Sequence, residues 1–266
     1  MDFQFKKSLG QNFLQDKNIL KKIVSVSDIK ENSLVIEIGP GSGNLTKEIA
    51  KVANKVLCFE IDTRLEEILD FELREYNNID IIYDDFLKRD IKKDLENYSY
   101  QNLYVVANLP YYITTPIIEK LIKSKLKFNK ITVMVQKEVG DRFGAKPKAK
   151  DYNSLTVYLN YYFNIKREFI VSKDAFIPKP KVDSIVVTFE SKEKNNYLVD
   201  EEFFQKLIKD AFRYKRKNIR NNLKNYNLEI VQKVLEQNGF SLNSRAEEFP
   251  LEIFIDLSNE LSKLDN

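Results

Sequence analysis

The chain has 266 residues, of which 43% are hydrophobic, so it is long enough to bury one large core and a smaller second one. Its 43 Lys and Arg against 40 Asp and Glu leave a formal charge of +3, so a nucleic-acid surface would require local clustering of charge. There is no histidine, and Cys58 is the single cysteine. This composition excludes Ser-His-Asp and Cys-His nucleophiles, argues against a metal site and favours chemistry by a reactive cofactor.

The sequence predicts a cytoplasmic location. No apolar stretch reaches the roughly 18 residues that a membrane span requires, and the N-terminal sequence MDFQFKKSLGQ lacks the apolar core of a signal peptide. A single cysteine cannot form an internal disulfide, which is typical of a reducing compartment. We therefore expect neither membrane insertion nor secretion.

Short apolar runs alternate with amphipathic stretches from Leu34 to about Val171, which predicts a doubly wound α/β domain with a mostly parallel sheet. The predicted parallel strands are Leu34–Ile38, Lys55–Ile61, Ile79–Tyr83, Leu103–Asn108 and Lys130–Gln136. Two late β runs, 165–171 and 182–190, lie on either side of the sequence IPKPK and predict an antiparallel hairpin at the sheet edge. Together these runs predict a sheet of seven strands.

Helical spacing of apolar residues predicts four helices around this sheet, over 45–53, 64–76, 117–123 and 155–163. The polar stretch 191–200 is predicted to be a linker, because it has few core-forming residues. Beyond it, the pattern predicts helices over 201–215, 228–240 and 251–264. The predicted organisation is a cofactor-binding domain over 1–190, the linker over 191–200 and a small helical domain over 201–266.

The segment VIEIGPGSGNLT connects the first predicted strand to a helix and contains Gly39, Gly41 and Gly43. Glycines at such a turn let the backbone approach a ligand closely. A dinucleotide fingerprint would have a third glycine where Asn44 stands, which argues against a nicotinamide cofactor. Glu60 ends the next strand, where a carboxylate can accept from ribose hydroxyls. The alternative for the glycine segment is a purely structural turn, and the alternative for Glu60 is a solvated strand end.

Two further strand ends carry polar groups. Asp85 follows the third strand, where its carboxylate either accepts from an adenine amino group or caps a helix. The fourth strand ends in Asn108, and the proline at position 110 holds Leu109 extended. The Asn108 side-chain oxygen and the Leu109 carbonyl are therefore suited to hold the two hydrogens of an exocyclic amine.

Aromatic residues near this motif predict a site for an extruded base. Tyr111 follows Pro110 directly, and Phe176 lies in the loop DAFIPKPKVDS. Their rings can stack on the two faces of a base, and ordinary packing is the alternative. Methyl transfer to such an amine needs no strong base when the methyl group is already activated, which agrees with the absence of histidine.

On these residues the sequence resembles the small-subunit ribosomal RNA adenine dimethyltransferases over nearly its whole length. The motifs that carry the resemblance are SLGQNFL (8–14), EIGPGSGNLT (37–46), Glu60, DDFL (84–87), NLPYYI (108–113), QKEV (136–139), FIPKPKVDS (176–184), FRYKRKNIRNNLK (212–224) and RAEEF (245–249). The sequence departs from the family pattern at Asp84, where glycine is frequent, and at Gly140, where alanine is common.

The resemblance implies a Rossmann-like S-adenosylmethionine domain followed by a helical domain. It implies dimethylation of two adjacent adenosines near the 3′ end of 16S rRNA, on the 30S subunit or its precursor. We also expect the enzyme to be monomeric and to use no metal. The cofactor contacts that it implies are Asn12, Leu14, Gly39, Glu60, Asp85 and Asn108. The residues that it places around the target base are Asn108, Leu109, Pro110, Tyr111 and Phe176.

Two basic clusters predict an RNA-binding surface, although a solvated face is the alternative for each. Their residues are Arg142, Lys146 and Lys148 in the first and Arg213, Lys215, Arg216, Lys217 and Arg220 in the second. Rival interpretations of the whole chain are a large-subunit rRNA adenine methyltransferase of the antibiotic-resistance type, a DNA adenine methyltransferase, a non-catalytic RNA-binding assembly factor and a nicotinamide dehydrogenase.

Overall fold

The structure is a computed structural model that describes residues 12–110, 113–192 and 200–263. Strands in these residues are β1 (Phe13–Leu14), β2 (Ser33–Ile38), β3 (Lys55–Glu60), β4 (Ile79–Tyr83), β5 (Asn102–Asn108), β6 (Lys130–Gln136), β7 (Phe163–Val171), β8 (Phe176–Ile177) and β9 (Ser184–Ser191). Helices are α1 (Lys17–Ser27), α2 (Asn44–Ala50), α3 (Glu66–Leu73), α4 (Ile91–Leu95), α5 (Thr114–Lys123), α6 (Lys137–Phe143), α7 (Ser154–Tyr162), α8 (Glu201–Ala211), α9 (Ile219–Asn222), α10 (Leu228–Gln237) and α11 (Leu251–Ser262). One-turn 3₁₀ helices occupy Thr63–Leu65, Phe86–Lys88, Lys173–Ala175 and Ala246–Glu248.

Seven strands form one sheet in the order β4-β3-β2-β5-β6-β9-β7. The pairs from β4 through β6 are parallel, and β9 runs antiparallel to β6. All residues of β2 are buried, because helices cover both faces of a parallel sheet. The predicted fold class, a mostly parallel seven-stranded sheet with helices, is therefore confirmed.

The five predicted parallel strands agree with the structure to within one residue at each end. The late hairpin is present, but β9 inserts between β6 and β7, so β7 forms the edge. The helix expected over 64–76 is shorter, because the Asp62 side chain caps a 3₁₀ turn before α3 begins at Glu66. The helix expected to continue to Lys215 ends at Ala211, where the apolar spacing gives way to exposed basic residues.

Helix α1 was not predicted, although its sequence carries a helix signal. The Asp16 side chain accepts from the backbone N–H groups of Asn18 and Ile19 at its start. Leu20 and Ile23, spaced by three residues, are buried in the same core as β2, β5 and β6. The helix thus covers one face of the sheet directly after β1.

The chain divides into two compact units. The first contains the described residues up to Gly140 together with Ile165–Ser191, and the second contains Asp141–Asn164 and the described residues from Lys192 onward. Within the second unit, α11 contacts α7, α8 and α10. Residues 141–164 thus group with the C-terminal helices, whereas the sequence analysis assigned them to the first domain. The functional division at 1–190 and 201–266 stays a prediction.

None of the helices in the described ranges combines the length and the apolar character that crossing a bilayer requires.

Gly140 on α6 leaves no room for a side chain. A Cβ there would lie 2.2 Å from Cγ2 of Ile185 and 3.0 Å from Cγ2 of Val187, two buried residues of β9. Because both are β-branched, their methyl groups have little freedom to rotate away. Gly140→Ala gains roughly 1 kcal/mol of helix propensity, but overpacking costs roughly 1–3 kcal/mol. We expect a lower free energy of unfolding, measured by urea denaturation.

The double variant Gly140→Ala/Ile185→Ala separates overpacking from other causes, because it removes the Ile185 methyl group that the new Cβ meets. The destabilisation by Gly140→Ala should be smaller when Ile185 is already alanine. A Gly140→Ala variant more stable than the parent would contradict this account of the contact.

Candidate active site

A cleft with a cavity volume of about 110 Å³ opens at the carboxyl ends of the central strands. It lies where the strand order changes direction between β2 and β5, the usual ligand position in open α/β sheets. Residues predicted to bind the cofactor or the target base that line it are Asn12, Leu14, Gly39, Glu60, Asp85, Asn108, Leu109 and Pro110. The structure therefore brings together residues that are far apart in the sequence. Asn12 and Pro110, for example, are separated by 98 positions.

The turn after β2 lines the cleft with backbone atoms, because Gly39 and Gly41 have no side chains. Gly39 and Gly41 have φ values of +74° and +59°, a left-handed conformation that favours glycine. A Cβ on Gly39 would meet no atom within 4 Å, so this position faces open space. On Gly41 it would lie 2.7 Å from the Phe13 ring. The turn thus leaves space at Gly39 and is closed by Phe13 at Gly41.

Glu60 at the end of β3 is buried, at 4% exposure, and both of its carboxylate oxygens accept backbone hydrogen bonds. Oε2 accepts from Gly41 N at 3.1 Å, and Oε1 accepts from Asp62 N at 2.9 Å. Burial raises the pKa of this carboxyl group, and the backbone donors oppose the rise. Because a carboxylate has about four lone-pair sites, acceptor capacity remains on both oxygens for a ligand.

Asp85 begins the 3₁₀ turn Phe86–Lys88, and its Oδ1 accepts from Leu87 N at 2.9 Å. The capping role that the sequence analysis held as an alternative is therefore present. Asp85 also lines the cleft, and its Oδ2 lies 4.0 Å from Lys88 Nζ. Capping orients this carboxyl group and leaves its second oxygen available to a ligand.

Asn108 at the end of β5 is oriented by the N-terminal segment. Its Nδ2 donates to the backbone carbonyl of Asn12 at 3.2 Å. Asn44 Nδ2 likewise donates to the Leu14 carbonyl at 3.2 Å. No described residue donates a hydrogen bond to the Asn108 Oδ1. The amide nitrogen is therefore engaged on the protein side, and the oxygen is the free acceptor.

The two residues after Asn108 differ in how their carbonyls are used. Leu109 is buried and donates its N–H to Met134 O at 3.1 Å, which attaches it to β6. The Pro110 carbonyl accepts from Ile113 N and Thr114 Oγ1, at 3.2 and 3.3 Å. Among the described residues, none donates to the Leu109 carbonyl. Two free acceptors, Asn108 Oδ1 and the Leu109 carbonyl, thus follow one another along the chain.

Of the two aromatic residues predicted to stack on the base, the structure describes only Phe176. Phe176 is 3% exposed and pairs through β8 with Leu14 of β1, so its ring packs in the core and does not line the cleft. Tyr111 lies outside the described residues. Stacking of either ring on a base stays a prediction, and for Phe176 it would require the ring to leave its buried position.

The chain matches the family model described as ribosomal RNA adenine dimethylase over residues 2–263. The chain belongs to this family. It is 44% identical to the ribosomal RNA small subunit methyltransferase A of Macrococcus caseolyticus and 45% identical to that of Bacillus pumilus. Each alignment covers 98% of this chain, and 91% and 92% of the respective relatives. The chain is therefore an rRNA adenine dimethyltransferase of the class that depends on S-adenosylmethionine.

Solved structures with this fold include a dimethyladenosine transferase and a 23S rRNA methyltransferase. A dimethyladenosine transferase from Plasmodium falciparum matches with a TM-score of 0.79 and 27% identity, covering 94% of this chain and 98% of that one. The 23S rRNA methyltransferase ErmE matches with a TM-score of 0.73 and 25% identity, covering 94% and 100%. Fold likeness thus extends to an enzyme of the large-subunit RNA, and the sequence relatives favour the small subunit.

The basic clusters of the enzyme lie in one compact unit, the second one. Arg213, Lys215, Arg216, Lys217 and Arg220 are exposed, as are Lys146 and Lys148, and Arg142 is half-buried. Lys215 Nζ donates to the Lys150 carbonyl at 2.7 Å, which joins the two clusters. Lys148 N donates to Glu247 O at 2.7 Å and fixes the first cluster to the rest of the unit. Clusters distant in sequence therefore form one surface, called here the basic surface.

Sequence reasoning gave Glu37 no role, yet it lines the cleft at 1% exposure. Cys58 Sγ donates to its Oε2 at 3.6 Å. Burial raises the pKa of Glu37 to about 8, so the enzyme keeps a largely protonated carboxyl group in the cleft wall at neutral pH. The available signal was its place on a fully buried strand directly before the glycine turn. The described residues contain no group of three or more His, Cys, Asp or Glu side chains suited to a metal ion.

The raised pKa of Glu37 predicts a pH-dependent stability. Because the folded pKa of about 8 exceeds the ordinary value of 4.5, the unfolded chain releases this proton first as pH rises. The contribution of Glu37 to the free energy of unfolding is therefore fully present below pH 4.5, and it decreases as the pH rises from 4.5 to about 8. The loss has a limiting slope of about 1.4 kcal/mol per pH unit. Glu37→Gln should become more stable relative to the parent across this window, measured by urea denaturation. A difference between the two that stays constant with pH would contradict the raised pKa.

Proposed function

We propose that this enzyme methylates the N6 amino groups of two adjacent adenosines near the 3′ end of 16S rRNA, giving N6,N6-dimethyladenosines. Its substrate in this proposal is the 30S subunit or its precursor, and the enzyme acts as a cytoplasmic monomer without a metal. One observation carries the catalytic part: two acceptors that receive no hydrogen bond from the described residues, Asn108 Oδ1 and the Leu109 carbonyl, lie at the end of a central strand and line the cleft. The choice of small-subunit RNA is supported by the names of relatives 44–45% identical to this chain.

The residues of the cleft fit S-adenosylmethionine. Gly39 leaves open space beside the backbone, and Glu60 has acceptor capacity for ribose hydroxyls at the end of β3. Asp85 offers a carboxylate oxygen for an adenine amino group, and Asn12, Leu14 and Asn108 complete the wall. The cofactor supplies a methyl group already activated on a sulfonium. The Glu37 carboxyl group, held protonated by burial, gives up its proton more readily when a cation occupies the cleft.

In the proposed mechanism, Asn108 and Leu109 hold the target amine. The N6 lone pair of adenine is delocalised into the ring, so the nitrogen becomes nucleophilic when its hydrogens are drawn out of the ring plane. In the first transfer, Asn108 Oδ1 and the Leu109 carbonyl accept these two hydrogens, while Pro110 keeps Leu109 extended. The nitrogen loses one proton to water after each transfer, so a single hydrogen is held in the second. The fixed acceptors orient the lone pair and stabilise the positive charge that develops on nitrogen. Tyr111 and Phe176 are proposed to stack on the base.

The basic surface is proposed to bind rRNA phosphates. It presents exposed Lys and Arg side chains from two segments of the second unit, joined by the Lys215–Lys150 hydrogen bond. Such a surface adds affinity without reading sequence, because each cation releases counterions from the RNA when it meets a phosphate. The selection of the two adenosines then belongs to the cleft and to the conformation of the RNA.

Methyl transfer is tested with labelled S-adenosylmethionine on unmodified 30S subunits, 50S subunits and free rRNAs. Asn108→Ala should lower kcat at least about 10²-fold, because it removes an acceptor that acts on the developing charge. The matched control is Asn102→Ala, the same substitution at the opposite end of β5. The label should appear as dimethyladenosine in 16S rRNA and stay at the parent level in the control.

Each other outcome contradicts a part of the proposal. Label in 23S rRNA would show that this enzyme, like ErmE, acts on large-subunit RNA. RNA binding without any label would favour a non-catalytic assembly factor. Label retained in Asn108→Ala would refute the role of the Asn108 oxygen.

The basic surface predicts a change in the salt dependence of RNA binding. Lys215→Ala/Arg216→Ala should weaken binding to 30S subunits and reduce the slope of log K against log salt by roughly 1–2 units. Binding isotherms at several salt concentrations measure this slope. The control is Lys233→Ala, an exposed lysine of α10 in the same unit but outside the clusters. An unchanged slope in the double variant would exclude phosphate contacts at these two positions.

A further inference from the structure

The turn that carries Asp85 is attached to α5 by one lysine. Lys120 is half-buried on α5, and its Nζ donates to the carbonyl oxygens of Leu87 at 3.0 Å and Arg89 at 2.5 Å. The same nitrogen lies 5.8 Å from the centroid of the Phe86 ring. Carbonyls at the end of a helical turn have no N–H partner within the turn, and a lysine near that end satisfies them. A single ammonium group therefore holds the end of the turn Phe86–Lys88.

This turn forms one wall of the cleft. Asp84, Asp85, Phe86 and Leu87 all line it. From the sheet side, the turn is fixed by the edge-on contact of Phe86 with Phe59, at 5.2 Å between ring centroids. The Arg89 side chain bonds to Asp84 and Asp94, which lie in the same part of the chain as the turn. Lys120 adds the attachment to α5 through charge-assisted hydrogen bonds, which are stronger than neutral ones.

Helix α5 also touches the proposed target-base motif. It begins directly after Asn108-Leu109-Pro110-Tyr111-Tyr112-Ile113, and Ile113 N and Thr114 Oγ1 donate to the Pro110 carbonyl. Ile113 and Ile117 contribute to the lining of the cleft. The helix therefore contacts the acceptor motif at its N-terminal end and the Asp85 turn through Lys120.

We propose that Lys120 is a positioning residue that holds Asp85 at the distance required to read the 6-amino group of the cofactor's purine. It thereby sets the preference of the cleft for adenine over a purine with oxygen at position 6. This inference rests on the proposed adenine contact of Asp85. Without the ammonium group, the Leu87 and Arg89 carbonyls lose their donor and the turn loosens. Asn108, Leu109 and Glu60 keep all the hydrogen bonds described above, because none of these bonds involves Lys120.

Three variants test the proposal: Lys120→Met, which removes the donors, Lys120→Arg, which restores donors, and Lys123→Met as the control. Lys123 lies on the same helix, is exposed and loses the same charge. Calorimetry measures the Kd values of S-adenosylhomocysteine and S-inosylhomocysteine, which differ in the purine 6-substituent. Steady-state kinetics with 30S subunits measure KM for S-adenosylmethionine and kcat.

The parent and Lys123→Met should bind the adenosyl compound at least about tenfold more tightly, because the inosyl compound presents a carbonyl oxygen to Asp85 at position 6, where the adenosyl compound presents an N–H donor. Lys120→Met should lose most of this ratio and raise KM about tenfold, the equivalent of one charge-assisted hydrogen bond. Because the acceptors of the target amine are untouched, kcat at saturation should stay within about twofold of the parent. Lys120→Arg should recover the ratio.

An unchanged affinity ratio in Lys120→Met would overturn the proposal, as would an equal loss of both affinities together with kcat, which indicates general loosening. A parent that binds neither compound would refute the proposed function and this inference together. A parent that methylates 30S subunits but binds both compounds equally would overturn the inference alone. If Lys120→Met does not fold, as judged by its thermal transition, Lys120→Gln replaces it. Its amide is polar but neutral and one atom shorter, so it loses the charge-assisted bonds and should likewise lower the affinity ratio.

Discussion

The parallel pairing of β2 with β5 is the constraint on which the site depends. Glu37 of β2 stands opposite Val106 of β5, so the two strands end at the same edge of the sheet. From this pair the sheet extends in opposite directions, through β3 and β4 on one side and β6 on the other. The segments that follow the two strands therefore diverge and leave a cleft. A slip of one residue in this register would turn the Asn108 side chain to the opposite face of the sheet.

The wall of the cleft contains two acidic residues that are shielded from water. Glu37 and Glu60 are both nearly inaccessible, and burial raises the pKa of each. Desolvated carboxyl groups cost stability unless they are neutral or paired, so the fold retains a cost that a cationic ligand is able to offset. The walls beside them are held by bonds to backbone atoms, from Asn12 to Asn108 and from Lys120 to the Asp85 turn. The backbone of the site is thus held by hydrogen bonds, while its buried carboxyl groups have no cationic partner among the described residues.

The strands were predictable because a buried parallel strand is recorded in the sequence as a short apolar run. The residues at their ends were predictable because they directly follow such a run. Glu60, Asp85 and Asn108 each follow a predicted strand, and the parallel sheet brings them to one edge. Three features were not predictable in this way. Helix α8 ends at Ala211 because the basic residues beyond it turn to solvent, the Phe176 ring is covered by its pairing with Leu14, and Lys120 acts on carbonyls 33 and 31 residues away. Each of these depends on tertiary contacts that no local pattern records.

The short antiparallel pair of β1 and β8 joins Phe13 to Ile177 across most of the first unit. The Asn12 carbonyl, which orients Asn108, lies directly before this pair. During synthesis, β1 is made long before its partner strand exists, since Leu14 and its partner Phe176 are 162 positions apart. A nascent chain is therefore unable to form this strand pair, which holds the segment that orients Asn108, until Ile177 has been made.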